Sequence, residues 1–328
     1  MNRIITTTIL LIAGGAGAVY LQCCNALATG LTGSDGGMLP KISDYQIFTG
    51  NPVTLTPATG LNEYEPATGL FTDYAEKQRL IKLPEGYQLT AVNDGLPDFP
   101  DGTMFVKTFY YWNDKRDTAK GKQLIETRLL VKNNGQWNAG TYVWNKEQSE
   151  ALLVTGGVKT SVIWVDKEAR QRTIAYRVPS VKDCGSCHNT GNSVLPIGFK
   201  VRNLNVDVVR KNETINQLSY LQHAGVMNAV DPSRFAKLPA WQNTNLPVEE
   251  RARAYLDVNC AHCHSDKGSC AQSTLRFAYD IPFANTHIAG KKNRVVNMMA
   301  KGRMPRTGTT IVDEEALALI KSYIQNIK

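Results

Sequence analysis

Past residue 28, the chain of 328 residues has no apolar run long enough to cross a bilayer. It has no nucleic-acid recognition motif either, so its net charge of +8 is not read as a nucleic-acid footprint. Cysteines number seven, and Cys23 and Cys24 fall in the N-terminal stretch. Four more fall in two short runs, which leaves Cys270 without a partner for a disulfide. Cys270 reads as a small tucked loop residue, with a role as distal thiolate ligand as the weaker alternative. Repetition is confined to Pro57-Ala58-Thr59-Gly60-Leu61 and Pro66-Ala67-Thr68-Gly69-Leu70, too short for a repeat architecture.

The N-terminus reads as an export signal over residues 1–28. Met1-Asn2-Arg3 is a short positive start, Ile4 to Val19 an apolar stretch, and Ala26-Leu27-Ala28 a cleavage pattern. The expected location is therefore the periplasm. A second reading takes Leu21-Gln22-Cys23-Cys24 as a poor lipobox, with a lipid anchor on Cys24 and the Gly/Thr/Ser-rich run from Thr29 to Gly37 as its tether.

The remaining four cysteines carry the chemistry. They lie in Cys184-Gly185-Ser186-Cys187-His188 and Cys260-Ala261-His262-Cys263-His264. Each run is C-x-x-C-H, the attachment sequence for c-type haem. Two thiols three positions apart on a helical turn reach both vinyl groups of one porphyrin, and the next residue points its imidazole at the iron. The pattern predicts two covalently attached haem c groups, one on Cys184 and Cys187, the other on Cys260 and Cys263. His188 and His264 are the expected proximal ligands. The competing reading joins both cysteine pairs in one zinc site; a His directly after each pair and the exported context argue against it.

The predicted fold class is α+β, with an N-terminal antiparallel β-rich domain followed by an α-helical haem-binding region. Residues 29–75 read as an extended arm rich in Gly, Pro, Thr and Asn. Residues 76–180 read as the β-rich domain, with strands at Gln88–Val92, Thr103–Trp112, Leu124–Lys132, Thr141–Trp144, Glu150–Val154, Ser161–Val165 and Thr173–Val178. That spacing favours a sandwich or partial barrel. Tyr110, Tyr111, Trp112, Trp137, Trp144 and Trp164 read as core rather than as a ligand surface. Residues 181–245 form the first haem-binding segment, entered through Pro179 and a capping Ser180, with a helix expected at Asn212–Ala224.

Residues 246–328 contain a helix opened by Pro247, Glu249 and Glu250, then the second C-x-x-C-H run, then Arg303-Met304-Pro305-Arg306-Thr307-Gly308, then a helix opened by Asp313-Glu314-Glu315. This order resembles a class I cytochrome c. The resemblance implies Met304 as the sixth ligand of the second iron, opposite His264; a thioether there favours ferrous iron. The whole chain resembles an uncharacterised family of exported bacterial di-haem c-type cytochromes. That resemblance rests on the stretch from Gly102 to Tyr111, Glu126-Thr127-Arg128-Leu129-Leu130, Tyr142-Val143-Trp144-Asn145, Tyr176-Arg177-Val178-Pro179, Arg202-Asn203-Leu204-Asn205 and Asp257-Val258-Asn259-Cys260.

The first run has no following Met-Pro and no preceding amphipathic helix. Candidates for its sixth ligand are Met227, His223, His262, His287, Met104, Met298 and Met299, and the sequence selects none of them. His262 is expected to face away from its own iron toward solvent. The residues after His188, from Asn189 to Ser193, include no His or carboxylate. Lys291, Lys292, Arg294, Lys301, Arg303 and Arg306 concentrate positive charge near the second run, either as a solvated loop or as a surface that steers an acidic redox partner. The function expected is a di-haem cytochrome passing single electrons. The alternative is a di-haem peroxidase-like enzyme with an open position at the first haem.

Overall fold

The computed structural model of the protein describes residue 31 and residues 37–190 and 193–327. The expected export signal, with Cys23 and Cys24, lies outside the described residues.

Six strands form one antiparallel sheet in sequential order: β1 (Asn62–Glu63), β2 (Glu76–Lys82), β3 (Met104–Trp112), β4 (Lys122–Asn133), β5 (Gln136–Trp144) and β6 (Ala151–Val154). β7 (Val158–Val165) and β8 (Gln171–Val178) make a separate hairpin. The arrangement is one open sheet with a hairpin packed at one end, not the sandwich or partial barrel expected. The second layer comes from the arm on one face and from the helical half on the other. Two strand expectations need correction. Gln88–Val92 is no strand; Leu89 makes only an isolated bridge, to Met227. β2 was not expected, because Glu-Lys-Gln-Arg-Leu-Ile-Lys is too polar to read as a strand, yet it pairs with β3 along its whole length.

Alternation sorts the sheet into two faces. Leu80, Val106, Leu129 and Tyr142 point to one face, where Ile42, Tyr45, Ile47 and Leu55 of the arm cover them. The arm is fastened as well as packed: the Tyr142 hydroxyl donates to the Leu39 carbonyl at 2.7 Å. Ile81 and Phe105 point to the opposite face, packed with Phe199, Leu218, Leu221 and Met227. On that same face Arg79, Lys107 and Arg128 are direct cross-strand partners.

The helical half begins with α1 (Val181–His188). Next come the two-residue strands β9 (Asn189–Thr190) and β10 (Ser193–Val194), the turn α2 (Val201–Leu204), the hairpin β11 (Asp207–Arg210) and β12 (Glu213–Asn216), and α3 (Gln217–His223). α3 is shorter than the helix expected at Asn212–Ala224, because the preceding residues pair as β12 and Asn216 caps the helix by accepting from the Leu218 N–H at 3.0 Å. α4 (Val248–Asn259), the turn α5 (Phe283–Thr286), α6 (Lys292–Ala300) and α7 (Glu314–Asn326) complete the chain. α4 and α7 start where Pro247 and Asp313 predict. Asp313 accepts from the Ala316 N–H at 3.0 Å and from the Tyr255 hydroxyl at 3.1 Å. Ala252, Tyr255 and Leu256 of α4 pack with Ala316, Ile320 and Tyr323 of α7. Each large side chain buried there contributes about 1.5–3 kcal/mol. Among the described residues no helix is long and apolar enough to cross a membrane.

Candidate functional site

The two C-x-x-C-H runs reach one place by different routes. β8 ends at Val178, Pro179 follows, and α1 starts at Val181. Ser180 and Asp183 cap the helix reciprocally: the Ser180 hydroxyl accepts from the Asp183 N–H at 3.3 Å, and Asp183 accepts from the Ser180 N–H at 3.0 Å. α1 thus carries the whole first run. Cys184 lies on this helix with its side chain outside the described residues. The second run leaves the end of α4 in tight turns, with the Ala261 N–H bonded to the Leu256 carbonyl at 3.0 Å and the His264 N–H to the Cys260 carbonyl at 3.0 Å. Gly268 is required behind it, since a Cβ at that position would stand 2.3 Å from the Cys263 carbonyl oxygen. The Cys270 N–H then donates to the Cys263 carbonyl at 2.9 Å, so Cys270 acts through its backbone in closing the loop.

His188 is held in a defined state. Its Nδ1 lies 2.7 Å from the Leu195 carbonyl oxygen. A carbonyl only accepts, so Nδ1 carries the proton and Nε2 keeps its lone pair. A carbonyl on Nδ1 in this way orients an imidazole whose Nε2 binds a metal. Burial pushes His188 down to about 4; the Leu195 bond opposes this, while the charges of Lys107, His262 and Arg128 add to it. The ring is therefore the neutral form near pH 7.

His262 departs from expectation. It is half-buried and lines a cavity together with Cys187 and His188. The ligand atoms of Cys187, His262 and Cys263 lie within 4.8 Å of one another. Cys263 Sγ is 3.9 Å from the Ser186 carbonyl, so the two runs touch. The Cys187 thiol, followed by His262, holds the Cys263 thiol below its ordinary value, whereas burial pushes the Cys260 thiol up to about 12. The Nδ1 atoms of His262 and His264 are buried without hydrogen-bond partners. The second run thus lacks the kind of carbonyl contact that fixes the His188 ring. His264 packs edge-on against Phe277 at 5.1 Å between ring centroids.

The cavity measures about 380 Å³ and lies between the sheet, α1, the segment from Leu195 to Asn203, and the second run. That size suits a cofactor or small-molecule pocket. Phe105, Leu130, Leu195, Ile197 and Phe199 give it apolar walls. Pro305, Thr307 and Gly308 also reach it. Met304, on the same loop, is half-buried, and its N–H donates to the Met298 carbonyl at 3.2 Å.

The other candidate ligands of the first centre are dispersed. His223 and His287 are exposed. Met104 is buried against the arm on the far face of the sheet, Met227 in the core under α3, and Met299 in the core of α4 and α7. Of the seven, His262 lines the cavity beside His188.

The sequence reading gave no functional role to Arg79, Lys107 and Arg128, all cavity-lining. Lys107, the one charged residue of β3, was the local signal on that strand. These three and His262 bring to the cavity beside His188 the charged and imidazole groups that the stretch from Asn189 to Ser193 does not supply. Buried polar braces come from Asp257, Asn203 and Asn259. Asp257 takes Lys200 and Arg202, each at 3.1 Å, and ties the segment after the first run to the helix before the second. Asn203 and Asn259 accept from the Thr68 and Phe71 N–H groups at 2.9 and 2.8 Å.

No protein-family model, curated protein or solved structure matches the chain.

Proposed function

We propose that the protein is an exported di-haem c-type cytochrome that carries single electrons. The observation that supports this best is His188: its Nδ1 is spent on the Leu195 carbonyl and its ring lines an apolar cavity of about 380 Å³. In this reading Cys184 and Cys187 hold the first haem and His188 ligates it. Cys260 and Cys263 hold the second, with His264 and Met304 as its iron ligands. Bound haem supplies one-electron chemistry. The protein fixes the tautomer of His188, excludes water with the walls around Phe105 and Phe199, and keeps the two runs in contact, which shortens the electron path between them. The segment from residue 246 onward serves as the class I cytochrome c-like part, and its exposed Arg294, Lys301, Arg303 and Arg306 face an acidic redox partner. The location that fits is the periplasm, with a lipid anchor on Cys24 as the alternative attachment.

A second reading is favoured by the cluster itself. Cys187, His262 and Cys263 within 4.8 Å would also suit a thiolate–imidazole metal site such as zinc. Mass spectrometry on protein produced in a haem-attaching host separates the two. Two haem additions on one chain support the cytochrome, while an unmodified chain with stoichiometric zinc overturns it. If both haems attach and the ferric protein turns over hydrogen peroxide with one high-spin iron, the peroxidase-like alternative replaces electron carriage.

A further inference from the structure

We propose that Arg79, Lys107 and Arg128 form a seat for the carboxylate or oxyanion end of a ligand whose apolar body fills the cavity. The three residues stand side by side on β2, β3 and β4, each paired directly with the next in register. All three line the cavity. Like charges directly opposite each other in a sheet are destabilising, and these sit on a face otherwise covered by core. Lys77 adds a fourth cation one row away, opposite Phe109.

Among the described residues, Glu126 is the carboxylate that β4 places on this face of the sheet. Glu126 is fully buried, receives Arg128 in a two-point contact at 2.6 and 3.0 Å, and accepts from the Tyr176 hydroxyl at 2.6 Å. The other nearby acids are engaged elsewhere: Glu76 with Lys115, Glu65 with Arg210, Asp183 with Ser180 and Arg177, Asp257 with Lys200 and Arg202. Among the described residues, Arg79 and Lys107 therefore face the cavity without a carboxylate of their own. Burial, reinforced by Arg79, Lys77 and Arg128, drives the Lys107 ammonium well below its ordinary value, which is the cost an incoming anion would relieve. The aromatic face of Phe109 lies under Lys107 at 5.1 Å and under Arg128 at 4.3 Å and holds both side chains in place. Phe105, Leu130, Leu195, Ile197 and Phe199 give the cavity a large apolar wall beside this row, so the ligand class is an amphiphilic carboxylate rather than a small hydrophilic ion.

Two sources share this chemistry: the propionates of a haem on the first run, which rests on the function proposed above, and a free amphiphilic carboxylate. The test compares haem-loaded protein with protein made in a host lacking haem attachment, using octanoate as probe and Lys107→Gln, Lys107→Arg and Arg79→Gln as variants. In haem-free protein octanoate raises Tm, and each Gln variant weakens octanoate binding by roughly tenfold or more, the loss of one charge-assisted hydrogen bond; Lys107→Arg retains it. If propionates are the natural occupant, haem-loaded protein ignores octanoate, and the Gln variants lower the potential of one centre, because removing a nearby cation favours ferric iron. If a free carboxylate is the occupant, haem-loaded protein also responds to octanoate. Should haem-free protein not fold, the potentials of the loaded variants decide. Potentials and octanoate response both unchanged in the Gln variants would overturn the seat. Octanoate binding through Arg79 and Lys107 in a chain that takes no haem would keep the seat and dismiss the cytochrome.

Discussion

The first run sits on a helix joined to a strand through Pro179 and Ser180, whereas the second leaves the end of the twelve-residue helix α4. In the first, the Leu195 carbonyl satisfies the imidazole Nδ1 of His188. In the second, His262 and His264 both keep a buried Nδ1 without a partner. The same five-residue spacing therefore has two states of preparation. The first imidazole is oriented by the chain itself, against the cation-bearing sheet. The second is framed by a helix pair, and its two imidazoles are held by packing rather than by a backbone carbonyl. A shared motif gives shared residue spacing but not shared surroundings.

The largest effect is expected where the two regions are tied together. Asp257→Ala removes the buried partner of Arg202 and Lys200, leaves Arg202 only the exposed Asp280 at 3.3 Å, and should cost about 2–3 kcal/mol. Urea denaturation should show a lower midpoint. A loss below about 1 kcal/mol would mean that the two regions do not depend on this brace.

On the proposed ligation, Met304→Ala should lower the potential of the second centre alone and convert it to high spin in the ferric protein, since a thioether favours the reduced iron. Spectroelectrochemical titration resolves the two centres. A shift in the first centre, or in neither, would assign Met304 a structural role only.

The sheet beside the first run has its own pH signature in haem-free protein. Burial, with Arg79, Lys115 and Arg128, pushes Lys77 down to about 7, and Glu76 opposes the shift. The unfolded chain then holds one more proton than the folded chain between about pH 7 and pH 10.5. Stability should therefore rise with pH across that window, with a slope approaching ~1.4 kcal/mol per pH unit, and lose this contribution as pH falls through 7. Denaturation midpoints at several pH values check this, and Lys77→Met should flatten the profile.

The smallest effect concerns the surface of the second region. Lys292 is partly spent on the Ile327 carbonyl, so Arg294, Lys301 and Arg303, all exposed, are the better steering residues. Neutralising these three should slow reduction by an acidic partner at low ionic strength and leave the rate in high salt unchanged, because screening over about 8 Å already removes steering at physiological salt. Stopped-flow rates against ionic strength measure it.

Most strand positions and the helices at Val248 and Glu314 were legible in the residues alone. These rest on local rules: strand alternation, and Pro247 and Asp313 as helix starts. β2 was not legible, because Glu76–Lys82 is a strand through pairing with β3 rather than through its own apolar pattern. His262 was misjudged for the same reason. Its position within the second run says only how it stands to its own cysteines, while its burial depends on the first run, brought against it from seventy-five positions away at Cys187. The cation row is the clearest case. Arg79, Lys107 and Arg128 lie on three successive strands, beyond the reach of any local spacing rule, and become one surface only when strand register sets them side by side. Spacing within a few residues is written in covalent geometry, and the sequence by itself determined that much. Adjacency between distant segments depends on burying both faces of the sheet at once, and only the tertiary structure decides it.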